Sequence, residues 1–268
     1  MNETRLEEEV AAAAAYEDLH VPALFSEWTS RVLEAAQVSA GDRVLDVGCG
    51  TGVLARAAAD RVGRAGGVVG IDPNPGMLTI ARQIHDGVEW RQGTAESLPC
   101  DDASFDCVVS QFGMMFFRDR PLSVREMLRC LVPGGRLSIA VWDSLDNSPA
   151  YSREVRLLER MAGTEAADAL RAPFVMGDRA ALERLVVDAG GGAVEAVTPM
   201  GRADFPSVRS MVEADLRGWL PVMGVDLDEE LILSILDEAE KELADFVVEG
   251  GRVQFDSPAH IVSAEKPS

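Results

Sequence analysis

The sequence predicts an α/β fold, a three-layer sandwich in which helices cover both faces of a mostly parallel β-sheet. Two observations predict it. Between residues 43 and 142, short apolar runs typical of buried parallel strands alternate with helix-compatible runs. A glycine-rich turn at residues 48–52 joins the first of these strands to the helix that follows it.

The elements of this sheet follow from residue type and periodicity. Strand-like runs predict strands at 44–47, 67–72, 88–91, 105–110 and 136–142. Helical periodicity predicts helices at 21–37, 53–60, 75–84 and 121–131. After residue 142 the pattern becomes mainly helical, with helices expected at 150–170, 207–220 and 228–247 and a closing strand at 251–265. The outer face of 228–247 is strongly acidic, and a solvated face is the simplest explanation.

The composition narrows the class of partner and the compartment. The 268 residues include 45 acidic and 25 basic ones, a net charge of −20 that disfavours nucleic acids and anionic membranes as partners. No run of about 18 apolar residues predicts a membrane span. The opening run MNETRLEEEV is acidic where a signal peptide would be basic, and the four cysteines show no CxxC spacing. We therefore expect a reduced, cytoplasmic protein.

The run VLDVGCGTG at residues 44–52 is the most informative motif. Glycine stands at every second position from 48 to 52, so a nucleotide-like ligand can approach the backbone. A dinucleotide-binding turn would have its third glycine where Val53 stands. Asp72, at the end of the second predicted strand, can accept hydrogen bonds from ribose hydroxyls. Two readings without a ligand stay open, namely a tight turn for the glycines and a helix cap for Asp72.

Four segments carry a resemblance to a known family, and they are VLDVGCGTG (44–52), GIDPNPGML (70–78), GTAESLPCDDASFDCVV (93–109) and LRCLVPGGRLSIAVW (128–142). In this order and spacing they resemble the class I S-adenosylmethionine-dependent methyltransferases, in the small-molecule group related to the quinone-biosynthesis C-methyltransferases. YEDLHVPALFSEW at 16–28 resembles the N-terminal helix of bacterial members. The resemblance implies a Rossmann-like fold with a seven-stranded sheet and a helical lid, and S-adenosylmethionine as cofactor.

The resemblance also implies a division of the chain. We expect an N-terminal helical lid segment at 1–39, a cofactor-binding core at 40–145, a helical substrate cap with a late core strand at 146–250, and a closing strand and tail at 251–268.

Cofactor-binding positions are carried over one by one. The resemblance implies that Asp46 and the backbone of Gly48, Cys49 and Gly50 hold the methionine portion of the cofactor, and that Asp72 holds the ribose. It implies that Pro73 and Met77 line the adenine pocket and that Ala95 and Glu96 lie at the adenine edge. It also implies that Gln111 lies by the methionyl amine and the methyl group.

Candidate acceptor-binding residues are aromatic. Phe112, Phe116 and Phe117 follow the fourth strand at the sheet edge where α/β folds bind ligands, and ordinary core packing is the competing explanation. The further candidates for lining this cavity are Tyr16, Phe25, Trp28, Trp142 and Tyr151. Among three histidines, His20 lies near Tyr16 on the N-terminal segment, which the resemblance implies can close over the site. The two are therefore the candidate catalytic pair, and a solvent-facing or capping histidine is the alternative. No metal-ligand spacing occurs, and we expect no metal.

These observations predict a methyltransferase that acts on a small, partly apolar molecule, such as a secondary metabolite. The sequence leaves oxygen, nitrogen and carbon open as the accepting atom, and leaves a homodimer open as the assembly. A non-catalytic protein that binds the same cofactor is one alternative. A nicotinamide-dependent oxidoreductase is another, but it would need a proton donor such as a Tyr-x-x-x-Lys pair, and neither Tyr16 nor Tyr151 has a lysine four residues on.

Overall fold

A seven-stranded sheet is the centre of the computed structural model, which describes residues 3–268. The strands of the protein are β1 (Arg43–Val47), β2 (Gly67–Asp72), β3 (Glu89–Gln92), β4 (Phe105–Gln111), β5 (Leu131–Trp142), β6 (Gly192–Val197), β7 (Arg202–Phe205), β8 (Val253–Asp256) and β9 (Ala259–Glu265). The sheet order is β3-β2-β1-β4-β5-β9-β6. The first five strands are parallel, and β9 runs antiparallel to both β5 and β6. The predicted mostly parallel seven-stranded sheet is confirmed.

Helices flank this sheet and extend beyond its carboxyl edge. They are α1 (Glu3–Ala15), α2 (Thr29–Ala35), α3 (Val53–Val62), α4 (Pro75–Ile84), α5 (Arg120–Cys130), α6 (Pro149–Met161), α7 (Thr164–Arg171), α8 (Arg179–Asp188), α9 (Val208–Ala214), α10 (Leu220–Val222) and α11 (Glu229–Glu242). α2 and α3 contact each other and the sheet, and α5 and α8 form a second such pair. The middle of β1 and of β4 is buried, as expected of parallel strands covered on both faces.

The order of strands reverses beside β1, which lies between β2 and β4. Ligands of open α/β sheets bind outside the carboxyl ends of the strands at such a switch point. The glycine turn follows β1 at this edge, and the chain from β4 to Phe117 follows next to it. The topology therefore places both predicted parts of the site at the same edge of the sheet.

Several predicted element boundaries differ from the structure. The predicted helix at 150–170 is two helices, α6 and α7, because Gly163 between them has a φ of +89°. The predicted closing strand at 251–265 is two strands, since Ser257 and Pro258 interrupt it and β8 pairs with β7 in a separate two-stranded sheet. The helix expected at 228–247 ends at Glu242.

Two π-helical segments replace regular helix at Tyr16–Phe25 and Asp215–Trp219. The first contains Pro22, which has no backbone N–H to donate and so disturbs the regular helix predicted at 21–37. It contacts α9 and β7, whereas the second segment contacts α1 and α9. Both lie over the carboxyl edge of the sheet, and π-helical turns are frequent at functional sites.

No helix within residues 3–268 combines the length and the apolar character needed to cross a membrane.

Candidate functional site

The glycine turn after β1 depends on backbone conformations that side chains rarely adopt. Gly48, Gly50 and Gly52 have φ values of +72°, +54° and +90°. A Cβ on Gly52 would also stand 2.3 Å from the ring of Trp90. The amides of Gly48 and Cys49 both donate to the carbonyl of Ile71, which ties the turn to β2. Only glycine satisfies these conditions at position 52.

Asp46, the fourth residue of β1, is a buried carboxyl whose oxygens lack hydrogen-bond partners among the described residues. It is 1% exposed, and neither of its oxygens has a hydrogen-bond partner of good geometry among the described residues. Burial, followed by the nearby negative charge of Asp72, raises the pKa of Asp46 to about 8. A cation bound beside Asp46 would favour its ionised form, because an opposite charge lowers the pKa of a buried acid.

Asp72, the last residue of β2, is held by backbone amides. Its two oxygens accept from Gly50 N at 2.9 Å and from Asn74 N at 2.8 Å. Burial raises the pKa of Asp72 to about 6, and the two amide hydrogen bonds oppose this shift. The carboxyl therefore links the glycine turn to the loop that begins α4.

These groups line one cavity, which we call the glycine-turn cavity. Of the predicted cofactor residues it brings together Asp46, Gly48, Cys49, Gly50, Asp72, Pro73, Met77 and Gln111. Ala95 and Glu96 lie instead in an adjoining hollow that shares Gly48 and Pro73 with this cavity. A carboxylate oxygen of Glu96 accepts from the Arg118 and Asp119 amides at 2.7 and 3.3 Å, so this side chain also holds the loop after β4.

Gln111 connects the sheet to the N-terminal segment. Its Nε2 donates to the carbonyl of Phe25 at 3.1 Å. Its Oε1 is buried and has no partner among the described residues, and the side chain lines the glycine-turn cavity. The end of β4 is thus joined directly to the π-helical segment that covers it.

A second, mainly aromatic cavity adjoins the first, and its lining of apolar rings with a few polar groups is typical of small-molecule sites. We call it the histidine cavity. Its lining residues are Tyr16, His20, Leu24, Phe25, Phe112, Met115, Phe116, Trp142, Tyr151, Leu170, Pro173, Phe174, Asp215, Trp219 and Ser257. Phe112 has a φ of +56°, an unfavourable conformation for a bulky residue, and its ring stacks on Trp142 at 3.7 Å between centroids.

His20 and Asp215 form a buried pair in this cavity. His20 Nε2 lies 3.0 Å from Asp215 Oδ1, although the two residues are 195 positions apart in the chain. The ring of Tyr16 stacks on His20 at 5.6 Å, and burial raises the pKa of the Tyr16 phenol, so that it stays neutral. Because Nε2 faces a carboxylate, this contact favours the tautomer with the ring proton on Nε2 and the lone pair on Nδ1. The buried Nδ1 has no partner within residues 3–268.

The structure changes the expectation for Trp28. This side chain is fully buried and does not reach the histidine cavity. Its ring packs edge-on against Phe112 and Trp142, at 5.8 and 6.0 Å between centroids, so it supports the wall from behind. Phe116, by contrast, is 40% exposed and its ring lies 5.1 Å from that of Trp219.

Sequence reasoning missed Asp215 and Trp219. Asp215 follows an acid-containing helical run and resembles a solvated charge, and no spacing rule links it to His20. The apolar Ala214 and Leu216 on either side of it are the one local sign of burial. The other two histidines lie elsewhere: the partly buried His85 accepts from the Gly87 amide, and His260 contacts Thr198 and Gly177. Among the described residues, no three His, Cys, Asp or Glu side chains form a candidate metal site.

Comparison with known proteins agrees with this architecture. Residues 44–135 match the family described as "Methyltransferase domain". The chain is 33% identical over 196 residues to the ubiquinone/menaquinone biosynthesis C-methyltransferase UbiE of Chromobacterium violaceum, covering 66% of this chain and 78% of that protein. It is 41% identical over 115 residues to a 2-phytyl-1,4-naphtoquinone methyltransferase of Thermosynechococcus vestitus, which covers 42% of this chain and only 51% of that protein.

A solved structure shows the same fold. The phosphoethanolamine N-methyltransferase 2 of Haemonchus contortus, in complex with S-adenosyl-L-methionine, superposes with a TM-score of 0.60 at 16% identity, over 97% of this chain and 57% of that one. The fold and the glycine-turn cavity define a class I S-adenosylmethionine-dependent methyltransferase. The chain belongs to this family, as a relative of the quinone-biosynthesis C-methyltransferases. Its cofactor is S-adenosylmethionine, whose cationic and ribose groups suit a cavity with an uncompensated buried acid.

Proposed function

We propose that this protein transfers a methyl group from S-adenosylmethionine to a hydroxyl of a small, largely apolar molecule bound in the histidine cavity. One observation carries the proposal: the glycine-turn cavity and the histidine cavity share a wall. Both are lined by Tyr16, Phe25, Phe112, Phe116 and Trp219. A cofactor in the first cavity therefore lies directly beside an acceptor in the second.

The residues of the glycine-turn cavity suit the parts of the cofactor. Asp46 has two oxygens free for the ammonium of the methionine portion, and the amides of the glycine turn can approach its carboxylate. Asp72 is the carboxyl for the ribose hydroxyls, with Pro73 and Met77 beside the adenine. Ala95 and Glu96 extend this surface at the adjoining hollow. Gln111 Oε1 is a further free acceptor for the ammonium.

His20 is the base in this proposal. When bound, S-adenosylmethionine supplies a methyl group on a sulfonium, whose carbon–sulfur bond breaks as the acceptor atom bonds to the methyl carbon. A hydroxyl acceptor must lose its proton in this exchange, and the free lone pair of His20 Nδ1 can take it. Asp215 then stabilises the imidazolium through Nε2. The aromatic lining excludes water from a step in which charge is lost at sulfur.

The N-terminal segment and the cap complete the enclosure. Tyr16, His20 and Phe25 come from the segment at 1–39, of which residues 1 and 2 lie outside the described residues, and Tyr151, Phe174 and Trp219 come from 146–250. We propose that these two parts form the lid over the acceptor. We also propose that the protein works in the cytoplasm, a reducing compartment that suits its four free cysteines. A secondary metabolite is the class of acceptor we favour.

Three acceptors on one ring skeleton test the proposal: a naphthol, the matching naphthylamine and a hydroxynaphthoquinone with an acidic ring carbon. Each is incubated with methyl-labelled S-adenosylmethionine, and the position of the label is read by NMR. We expect the label on the naphthol oxygen. His20→Ala should lower the rate of methyl transfer to the naphthol about 100-fold. The affinity of this variant for S-adenosylhomocysteine should be unchanged in calorimetry.

Other outcomes reject parts of the proposal. Label on nitrogen or carbon contradicts the hydroxyl acceptor. Binding of S-adenosylhomocysteine without transfer to any of the three favours the non-catalytic alternative. Wild-type rates for His20→Ala across the pH range remove the base from the mechanism.

A further inference from the structure

A second buried carboxyl stands behind the His20–Asp215 pair. Glu154, on α6, is 0% exposed, and neither of its oxygens has a hydrogen-bond partner within residues 3–268. Asp215 is its ionisable neighbour, and the negative charge of Asp215 adds to the effect of burial on the pKa of Glu154. Asp215 itself is 3% exposed, and its Oδ2 is also without a partner among the described residues, whereas Oδ1 faces His20. Three buried acceptor oxygens therefore lie in this cluster without a donor.

The groups packed around this cluster carry no positive charge that could neutralise two acids. No arginine or lysine of the described residues lies within salt-bridge distance of Glu154 or Asp215, and His20 is the one ion-pair partner of Asp215. The other titratable groups that face the cluster are Tyr151, one turn before Glu154 on α6, and Tyr16 on the N-terminal segment. Burial, and then the charges of Asp215 and Glu154, raise the pKa of the Tyr151 phenol, so it remains neutral.

A single proton between the two acids accounts for two of the three unpaired oxygens. Two carboxylates cannot donate to each other, and two adjacent buried carboxylates do not both ionise. Burial, followed by the negative charge of Asp215, raises the pKa of Glu154 well above its ordinary value. Asp215 has His20 to support its negative charge, whereas Glu154 has no such partner. The proton therefore belongs on Glu154.

We propose that Glu154 is protonated at neutral pH and donates a hydrogen bond to Asp215 Oδ2, which makes it a positioning residue for His20. Asp215, held from behind in this way, keeps Oδ1 for the Nε2–H of His20 and so fixes the tautomer with the lone pair on Nδ1. Glu154 does not touch the acceptor. The catalytic meaning of this arrangement rests on the function proposed above, but the proton on Glu154 does not.

Infrared spectroscopy detects this proton directly. The carbonyl stretch of a protonated carboxyl is separate from the carboxylate bands and shifts in D2O. Because Asp46 supplies a second protonated carboxyl, the informative quantity is the difference between the wild type and Glu154→Gln at pH 7. We expect Glu154→Gln to lose one protonated-carboxyl band. Glu159→Gln is the matched control, since Glu159 lies on the same helix but is half-exposed and paired with Arg171; it should lose none.

Histidine NMR tests whether the proton shared with Asp215 positions His20. The nitrogen chemical shifts of the ring report which nitrogen carries the proton. Glutamine is neutral and its amide can donate the same hydrogen bond, so Glu154→Gln should leave the ring proton of His20 on Nε2. Asp215→Asn removes the charge that faces Nε2 and should weaken this preference. The signals of His85 and His260 serve as internal references in each spectrum. Folding of each variant is checked by circular dichroism and by its affinity for S-adenosylhomocysteine.

The outcomes separate this inference from the proposed function. If no protonated-carboxyl band disappears in Glu154→Gln, or if the ring proton of His20 leaves Nε2 in that variant, the inference is wrong. Both measurements need no acceptor. If both come out as expected while His20→Ala still transfers methyl groups at the wild-type rate, the proton assignment stands and the base assignment fails.

Discussion

The glycine-turn cavity and the histidine cavity share a wall, yet the chain builds them in different ways. Most residues of the first come from consecutive strand-to-helix turns between Asp46 and Phe117. The second takes single residues from segments as far apart as Tyr16 and Ser257. The first cavity therefore depends on local backbone geometry, whereas the second depends on long-range packing of the cap against the sheet.

The two cavities also treat buried negative charge differently. Asp46 is left without a partner in the described part of the chain, so the glycine-turn cavity holds a buried acid that a bound cation can ionise. In the histidine cavity, Asp215 already has His20 on one oxygen, and in our proposal Glu154 supplies a proton to the other. The buried acid of the glycine-turn cavity thus receives its partner from the ligand, whereas Asp215 in the histidine cavity has its partners within the protein before a ligand binds. The following variants test this contrast.

Asp46→Asn should have the largest effect on stability. The pKa of Asp46 is about 8 in the folded protein against an ordinary value of 3.8. Between these values the unfolded chain ionises and the folded protein does not, so the wild type loses stability as the pH rises from about 4 to about 8. Asparagine removes this loss, which amounts to at most about 4 kcal/mol at pH 7.

Denaturant unfolding at pH 4 and pH 7 measures this effect. We expect Asp46→Asn to be more stable than the wild type at pH 7 and to lose that advantage near pH 4. The same variant should bind S-adenosylmethionine more weakly, because the ammonium loses its carboxylate. A stability gain that is equal at both pH values would show that the carboxyl is already ionised without the cofactor.

Asp72→Ala should have the next largest effect, on cofactor affinity. The substitution removes the carboxyl that we propose for the ribose and also the acceptor of the Gly50 and Asn74 amides. We expect the affinity for S-adenosylhomocysteine to fall about tenfold or more in calorimetry, a cost of about 1.4 kcal/mol or more. Asp60→Ala, an exposed change on α3, the helix that follows the same turn, should leave the affinity unchanged. Equal affinities for the wild type and Asp72→Ala would remove Asp72 from the ribose site.

The same contrast explains what could be predicted from the sequence. The parallel sheet and the turn after β1 follow from local signals, because glycine spacing and apolar runs act over a few residues. The pairing of His20 with Asp215 has no such signal, since it arises only when the cap closes on the N-terminal segment. The position of Trp28 behind the cavity wall has no local signal either, since its residue type does not show which side of the wall an aromatic ring occupies. The burial of Glu154 has no local signal for a related reason, because a single acid in an amphipathic helix is usually on the solvated face.

Gly76→Ala should have the smallest effect, and it tests whether the N-terminal segment belongs to both cavities. Gly76 lies in the first turn of α4, and a Cβ there would stand 2.5 Å from the backbone of Glu9, so α1 must move away from α4. Because α1 leads directly into the segment that carries Tyr16 and His20, its displacement should reach both sites. We expect faster hydrogen exchange in α1 and a loss of affinity for S-adenosylhomocysteine of about threefold, or about 0.7 kcal/mol.

Gly67→Ala provides the matched control for this last variant, because a Cβ on Gly67, at the start of β2, would meet nothing within 4 Å. It should leave both hydrogen exchange and affinity unchanged. If Gly76→Ala speeds exchange in α1 without weakening the cofactor, the N-terminal segment serves the histidine cavity alone, and the wall between the cavities is more rigid than their shared residues suggest. If it also weakens the cofactor, closure of the lid and binding of the cofactor are coupled through α1.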